Sequence, residues 1–360
     1  MCWTYGEPLV LQDISFDWPR GTEVLVRLHS TAICGTDMHA LRGEIDVGLP
    51  VVMGHEASGV VEAVGEAVTA LQPNARVVIS LLRSCGRCKE CLSGAGNLCS
   101  AEWAMDVQGR LHAADGTRVW AGLHVGAFAE LVIVDQSQLV GISDDLPLEA
   151  AAVLGCGVIT GIGAVVNTAK VKPGSSVLVL GAGGVGLNVI QGARLAGATM
   201  IIASDPMVHK LHAANLFGAT HAVHPRELDG GSMIRMLTAG RGVDYAFITV
   251  GKQEVVNLAC ESTRRGGTVV VCALPTAGSP AAIDLRYFSG DRRIVGSSMG
   301  SSRLQVDIPY LVELYRQGRI RLDELVSERF SFADINDAVR SAIAGNAIRN
   351  LVVFESNVTD

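Results

Sequence analysis

The chain has 360 residues, 49% of them hydrophobic and 18% charged, which describes a folded chain with a large core, too long for one ordinary domain and not disordered. A net charge of −7 with no basic block argues against nucleic acid or an anionic membrane as the main partner. No stretch approaches the ~18 uninterrupted apolar residues that a membrane span needs.

The chain opens on Met1-Cys2-Trp3-Thr4-Tyr5-Gly6-Glu7-Pro8, without the basic start and apolar run of a signal peptide. A reducing cytoplasm is therefore the expected location, and the nine cysteines read as thiols or metal ligands rather than disulfides. Residues 9–32 read as short β segments, with Val24-Leu25-Val26-Arg27-Leu28 a strand that runs into a loop at Cys34.

That loop concentrates donor groups. It reads Ile33-Cys34-Gly35-Thr36-Asp37-Met38-His39 and is followed by Met53-Gly54-His55-Glu56. Soft sulfur with borderline imidazole is the donor set that Zn²⁺ selects, and Cys156 in Leu154-Gly155-Cys156-Gly157 can add a third donor. A Cys₂His set leaves a fourth position open. Taken singly, Cys34 and Cys156 read as small buried hydrophobes and His55 as a core histidine. Likewise Thr36 alone reads as a turn former and His39 as a solvated loop histidine.

β-Branched runs continue at Ser58–Gly65 and Arg76–Leu81, broken by Gly and Pro, so the first part is a β-rich domain. A lobe follows, Cys85-Gly86-Arg87-Cys88-Lys89-Glu90-Cys91 with Cys99 beyond it. Four thiolates at this spacing close a tetrahedral shell with no open position. A structural zinc is the first reading, and an iron–sulfur cluster uses the same ligands.

From about residue 158 helical and apolar-strand segments alternate. Val177-Leu178-Val179-Leu180 reads as a parallel strand buried on both faces. It leads into Gly181-Ala182-Gly183-Gly184-Val185-Gly186, a helix from Leu187 to Leu195 and a strand Met200–Asp205 that ends on the acid. Strand, G-x-G-x-x-G, helix, strand and acid in this order point to a dinucleotide site, with Asp205 on the ribose; Asp205 alone also reads as a helix N-cap. Further strands are expected at Asp244–Val250, Thr268–Ala273 and Arg293–Gly296. A helix at Tyr310–Gln317 and a closing strand at Asn350–Phe354 follow.

Together these pieces, with Thr160-Gly161 and Ile348-Arg349, resemble the zinc-dependent medium-chain alcohol dehydrogenases over nearly the whole chain. The resemblance implies an α/β fold: a GroES-like β-rich catalytic domain over 1–157 and 299–360, carrying the structural zinc lobe 85–99, and a doubly wound parallel Rossmann domain over 158–298, with the active site in the cleft. It implies that Cys34, His55 and Cys156 hold a catalytic zinc, and Cys85, Cys88, Cys91 and Cys99 a structural one, two per subunit. Asp37 then orients His55, Glu56 stands behind the metal, and Thr36 and His39 form the ends of a proton relay. NAD is the implied cofactor, bound by Gly181, Gly183, Gly184, Val185, Gly186, Asp205 and Lys210, with Thr160 and Val185 on the nicotinamide and Arg349 on the pyrophosphate. The substrate pocket is expected from Leu81, Trp103, Phe128 and Leu274, with Ile45, Met105 and Met299 nearby.

The chain departs from the animal enzymes at Gly35, where many have an arginine, and at Leu81, where several have an aromatic wall. The N-terminus also looks a few residues short of the usual first strand. The expected partners are small-molecule substrates, medium-chain or aryl alcohols and their aldehydes or ketones, in a homodimer or homotetramer. Zinc lowers a bound hydroxyl's pKa from ~16 to ~7, roughly 12 kcal/mol of stabilisation, and this is what releases an alcohol's hydride to NAD⁺. Polyol enzymes commonly use a glutamate as third ligand, so Cys156 points to the alcohol branch. The glutathione-dependent formaldehyde branch places an arginine soon after the fourth lobe cysteine, and Ser100-Ala101-Glu102-Trp103 has none. A nonenzymatic zinc and nucleotide binder is disfavoured by the complete ligand set. Quinone or enoyl reductase relatives are disfavoured because they lack it.

Overall fold

The computed structural model describes residues 1–226, 231–275, 278 and 280–354. The chain divides into two compact units, Met1–Cys156 with Arg303–Asp360, and Gly157–Ser302.

In the first unit the strand Glu23–Ala32 is central. It pairs antiparallel with Ala57–Val64, Leu131–Asp135 and Arg349–Val353. The sheet runs Val326–Ser331, Arg349–Val353, Glu23–Ala32, Ala57–Val64, Arg76–Ile79, Leu139–Gly141, so strands from both ends of the sequence lie side by side. Side chains alternate across a strand. Val24, Val26 and Leu28 enter the main core with Met53, Ile79 and Phe128. Leu25 points the other way, into a smaller cluster with Met105 and Ile133. Two glycines permit the close approaches that build the site. A Cβ at Gly59 would stand 2.1 Å from the Arg27 carbonyl, and one at Gly155 2.1 Å from that of Ile79. Only glycine lets the Cys156 loop lie down on the strand Arg76–Ile79.

The helix expected at Tyr310–Gln317 begins earlier and spans Leu304–Arg316 with Pro309 inside it. Burial of Leu304, Ile308, Leu311, Val312 and Leu314 along one face carries the helix through a proline that by itself favours a break.

The second unit is a six-stranded parallel sheet ordered His221–Val223, Met200–Ser204, Ser176–Leu180, Val243–Ile248, Thr263–Val271, Arg293–Gly296. In chain order that is 3-2-1-4-5-6, the doubly wound arrangement. Every residue of Ser176–Leu180 is buried, as a central parallel strand covered on both faces requires. Among the described residues no single helix is long and apolar enough to cross a membrane.

Candidate active site

The donor groups of the first unit converge through one carboxylate. Cys34 caps the helix Gly35–Leu41, and Asp37 in its first turn reaches back to accept the Cys34 backbone N–H at 3.0 Å. Asp37 also accepts the Gly54 N–H at 3.2 Å and hydrogen-bonds His55 Nδ1 at 2.9 Å. A single buried side chain thereby ties the Cys34 turn to the His55 loop. The acceptor on Nδ1 keeps that nitrogen protonated and turns the Nε2 lone pair to the donors. His55 Nε2 lies 3.3 Å from Cys156 Sγ, and Cys34 Sγ lies 4.0 Å from it. A tetrahedral zinc bonded to sulfur at about 2.3 Å sets its sulfurs about 3.8 Å apart, so these three donors fit that ion without rearrangement. Glu56, fully buried, brings a fourth donor atom within the same 4.8 Å group.

The charges point to a cation as well. The Cys34 thiol is pulled well below the ordinary thiol range by its contact with Cys156, with Arg349 and His55 helping against burial. Cys156 is pushed well up by Cys34 and by burial. Left to themselves, two buried sulfurs this close share one negative charge; a dication between them allows both to be thiolates. For His55, burial opposes the charged form, but the Asp37 carboxylate and the Cys34 sulfur together outweigh it and raise its pKa well above the usual value.

The second cluster is built locally. Cys85, Cys88, Cys91 and Cys99 bring their sulfurs within 4.8 Å of one another, and all are half-buried rather than buried. Their sulfurs accept backbone N–H groups from the same loop: Cys88 to Cys85 at 3.3 Å, Cys91 to Cys88 at 3.4 Å, Cys85 to Cys99 at 3.4 Å. N–H donors favour thiolate over thiol, and those of Arg87 and Cys88 hold Cys85 down to about 6. Four converging sulfurs fit a closed structural metal shell.

Around the first cluster, Thr36 is half-buried with Oγ1 3.9 Å from Cys34 Sγ. His39 is also half-buried and binds Glu44 through Nδ1, while Arg42 Nε binds the other Glu44 oxygen at 2.5 Å. Glu44 escaped the sequence reading; an acid five residues after His39, beyond a short helix, was the available signal. Arg349, expected on the pyrophosphate, stands beside the donors of the first cluster. It is 6% exposed, donates to the Ile33 carbonyl at 3.3 Å and stands 3.5 Å from Glu56. Burial works against its charge, but Glu56 and both sulfurs outweigh that and push its pKa up. Its strand pairs with the one leading to Cys34, and this register draws it inward behind the metal donors.

In the second unit the glycine motif divides its work. Gly181 has φ +97° against Thr249, and a Cβ at Gly186 would meet the Gly181 carbonyl at 1.9 Å, so the helix Gly184–Leu195 packs tightly on the turn. Gly183 alone of the three has nothing within 4 Å, an open side on which a pyrophosphate would fit against backbone N–H groups. Asp205, buried at the end of Met200–Ser204, accepts the Ala182 N–H at 2.8 Å and the Met207 N–H at 2.9 Å. Half-buried Lys210 follows on the helix Val208–Phe217. Thr160 lies beside Gly161, whose Cβ would stand 2.5 Å from the Val185 carbonyl, and its hydroxyl is 3.5 Å from Met299 Sδ. The helix Gly157–Gly163, which carries Thr160, thus packs on the helix that carries Val185.

The residues expected on the pocket wall divide between the two units. Phe128 is buried against Gly54, and half-buried Leu81 packs on the same core. Trp103 lies elsewhere: it packs with Leu25 and Ile133 under the Arg83 guanidinium, on the face of the sheet opposite Val24 and Val26. The alternation of the strand Glu23–Ala32 decides this. Leu274 belongs to the second unit and is 53% exposed.

Residues 20–144 match the family model described as an alcohol dehydrogenase GroES-like domain, and residues 184–317 that of a zinc-binding dehydrogenase. The chain is 36% identical to the alcohol dehydrogenase class-3 of Cereibacter sphaeroides, with 97% of each chain covered. It is also 36% identical to the S-(hydroxymethyl)glutathione dehydrogenase of Paracoccus denitrificans, again over 97% of each. The crystal structure of benzyl alcohol dehydrogenase from Acinetobacter calcoaceticus is similar with a TM-score of 0.91 at 32% identity, covering 98% of both chains.

Proposed function

The chain belongs to the zinc-dependent medium-chain dehydrogenase/reductase family, and from that membership we propose that it is an NAD-linked alcohol dehydrogenase interconverting medium-chain or aryl alcohols with their aldehydes or ketones. The observation that carries this reading is the buried convergence of Cys34, His55 and Cys156, three donors of a set that leaves a position for substrate. When bound there, zinc supplies Lewis-acid activation of the hydroxyl, and NAD⁺ the hydride acceptor.

The chain's own residues do the rest. Asp37 fixes the ring and tautomer of His55. Arg349, beside both sulfurs and Glu56, offsets the concentration of negative charge behind the metal. Thr36 stands close enough to the donors to take a proton from the substrate hydroxyl while passing its own onward. His39, held through Nδ1 by Glu44, keeps Nε2 to accept that proton at the solvent side. Gly183 and its neighbours hold the cofactor's phosphates. The carboxylate of Asp205 has lone pairs left for the ribose hydroxyls and meets a 2′-phosphate with like charge. Pro206, Met207 and Val208 follow it, with no arginine to offset that repulsion. Leu81, smaller than an aromatic ring, leaves room for a larger apolar substrate, which gains about 25 cal/mol per Å² buried. A cytoplasmic homodimer or homotetramer completes the proposal, and sedimentation reads the assembly directly.

The test is steady-state kinetics on the zinc-loaded protein with ethanol, hexanol, benzyl alcohol and S-hydroxymethylglutathione, each with NAD⁺ and NADP⁺. Hexanol or benzyl alcohol is expected to exceed ethanol in kcat/KM by about ten-fold or more. NAD⁺ is expected to exceed NADP⁺ by at least ~100-fold, roughly 3 kcal/mol. Ethanol as the best substrate, or equal use of the cofactors, refutes the corresponding part. S-hydroxymethylglutathione as the best substrate moves the protein to the glutathione-linked branch, a reading that its similarity to the Paracoccus enzyme keeps in the panel.

A further inference from the structure

The first unit contains a cavity of about 290 Å³ whose wall includes none of Cys34, Thr36, His55, Leu81, Phe128 or Cys156. Ile45 and Met105, expected on the substrate pocket, are among its lining residues. Its volume is at the lower end of the range for small-molecule sites, about 300–1,000 Å³.

Three guanidinium groups stand in its wall, and their situations differ. Arg83 binds the Asp106 carboxylate at 2.6 Å, the Gln138 side chain at 2.9 Å and the His124 carbonyl at 3.1 Å. Arg110 forms a fork with Glu23 at 2.8–3.1 Å. Both charges are therefore answered by a carboxylate. Arg118 donates only to the carbonyls of Val107 and Asp106. Among the described residues it makes no ion pair, and its buried Nε–H has no acceptor. Its guanidinium lies 3.9 Å from the centre of the Trp120 ring. That stacking orients the fork and leaves the charge uncompensated. Asp46, the acid at the rim, is exposed and already accepts from Tyr5 and Gly48, so solvent screens it. Met105, Leu111, Val119 and Ile133 make the remainder apolar.

We propose that this cavity is a second small-molecule site, separate from the metal donors, that takes a monocarboxylate with an aryl or alkyl body, its carboxylate on Arg118 and its body between Trp120 and the apolar wall. A carboxylate matches a fixed guanidinium fork in geometry and charge. A neutral isostere of the same shape keeps only the apolar part. The proposal does not depend on which alcohol the enzyme uses.

The probe is benzoate, titrated calorimetrically into the zinc-loaded protein, with benzamide as the neutral comparison and benzyl alcohol as competitor. One benzoate per chain is expected to bind, with benzamide weaker by about ten-fold or more, the loss of a charge-assisted contact. Arg118→Leu should weaken benzoate by a similar factor. Because Arg118 also holds the Val107 and Asp106 carbonyls, Leu111→Trp, which fills the cavity and leaves the guanidinium in place, is the second variant and should abolish binding. Both variants should keep kcat/KM for benzyl alcohol within about two-fold, under 0.5 kcal/mol. The proposal is overturned if benzoate does not bind, if benzamide binds equally, if Leu111→Trp binds like the unmutated protein, or if benzyl alcohol displaces benzoate and so places it at the metal site.

Discussion

The two cysteine clusters of the first unit use the same ligand atom in opposite ways. Cys85, Cys88, Cys91 and Cys99 lie within one loop, half-exposed, their sulfurs held by N–H groups of that loop. Cys34, His55 and Cys156 come from three separate segments, are buried, and depend on Asp37, Glu56 and Arg349 for their geometry and charge. The difference teaches that a closed shell can be local and still anchor a lobe. A shell with an open position for chemistry needs an outer layer from the tertiary structure to keep its donors from collapsing on one another.

The largest expected effect separates the two clusters outright. His55→Ala should lower kcat by at least ~1,000-fold, about 4 kcal/mol of transition-state stabilisation, while far-UV circular dichroism and the metal of the other cluster are retained. Cys91→Ser should do the reverse and lower Tm by the order of 10 °C, equivalent to about 3 kcal/mol in a unit of this size. Elemental analysis should give two zinc ions per unmutated chain and one in each variant. The opposite pairing of phenotypes breaks the comparison.

Asp37→Asn probes the outer layer alone. It removes the charge that faces His55 and keeps the side-chain shape, so zinc affinity or turnover should fall about 10–100-fold. An unchanged zinc affinity and rate contradicts the role given to this carboxylate.

Leu81→Phe tests the open position and its neighbours. Loss of space should shift the ratio of benzyl alcohol to ethanol in kcat/KM towards ethanol by about ten-fold. A ratio that does not move removes Leu81 from the wall.

The smallest effect concerns the support of the lobe. Burial opposes the charged form of Asp106, but His124 and Arg83, two residues before Cys85, outweigh it and hold its carboxyl down to about 2. A folded value below the unfolded one, about 3.9, means that the pair contributes stability above about pH 4 and loses it as the pH falls towards 2. Asp106 is partly exposed, so solvent weakens the effect. Asp106→Asn should lower Tm by a few degrees at pH 6 and flatten the acid limb of the Tm–pH curve. An unchanged limb assigns the acid sensitivity to other carboxylates.

Much of this was legible without coordinates. The four-cysteine lobe was readable because its ligands share a loop, where chain geometry limits how far apart the sulfurs can lie. The glycine turn was readable because its strand, turn and helix are contiguous. Asp37 is tied to His55 by the family resemblance alone; its bond to the Cys34 N–H closes a helix turn where the sequence suggests a loop. What only the tertiary structure decided are contacts between distant segments. The approach of Cys156 to Cys34 required Gly155 to lie on Ile79. The inward turn of Arg349 followed from pairing of the last strand with Glu23–Ala32, and the displacement of Trp103 from the face on which Leu25 points. The unanswered charge of Arg118 follows from how the carboxylates around the cavity are shared. Sequence spacing bounds a distance within a loop, but the face of a strand and the edge of a sheet are set by how all the strands pair at once.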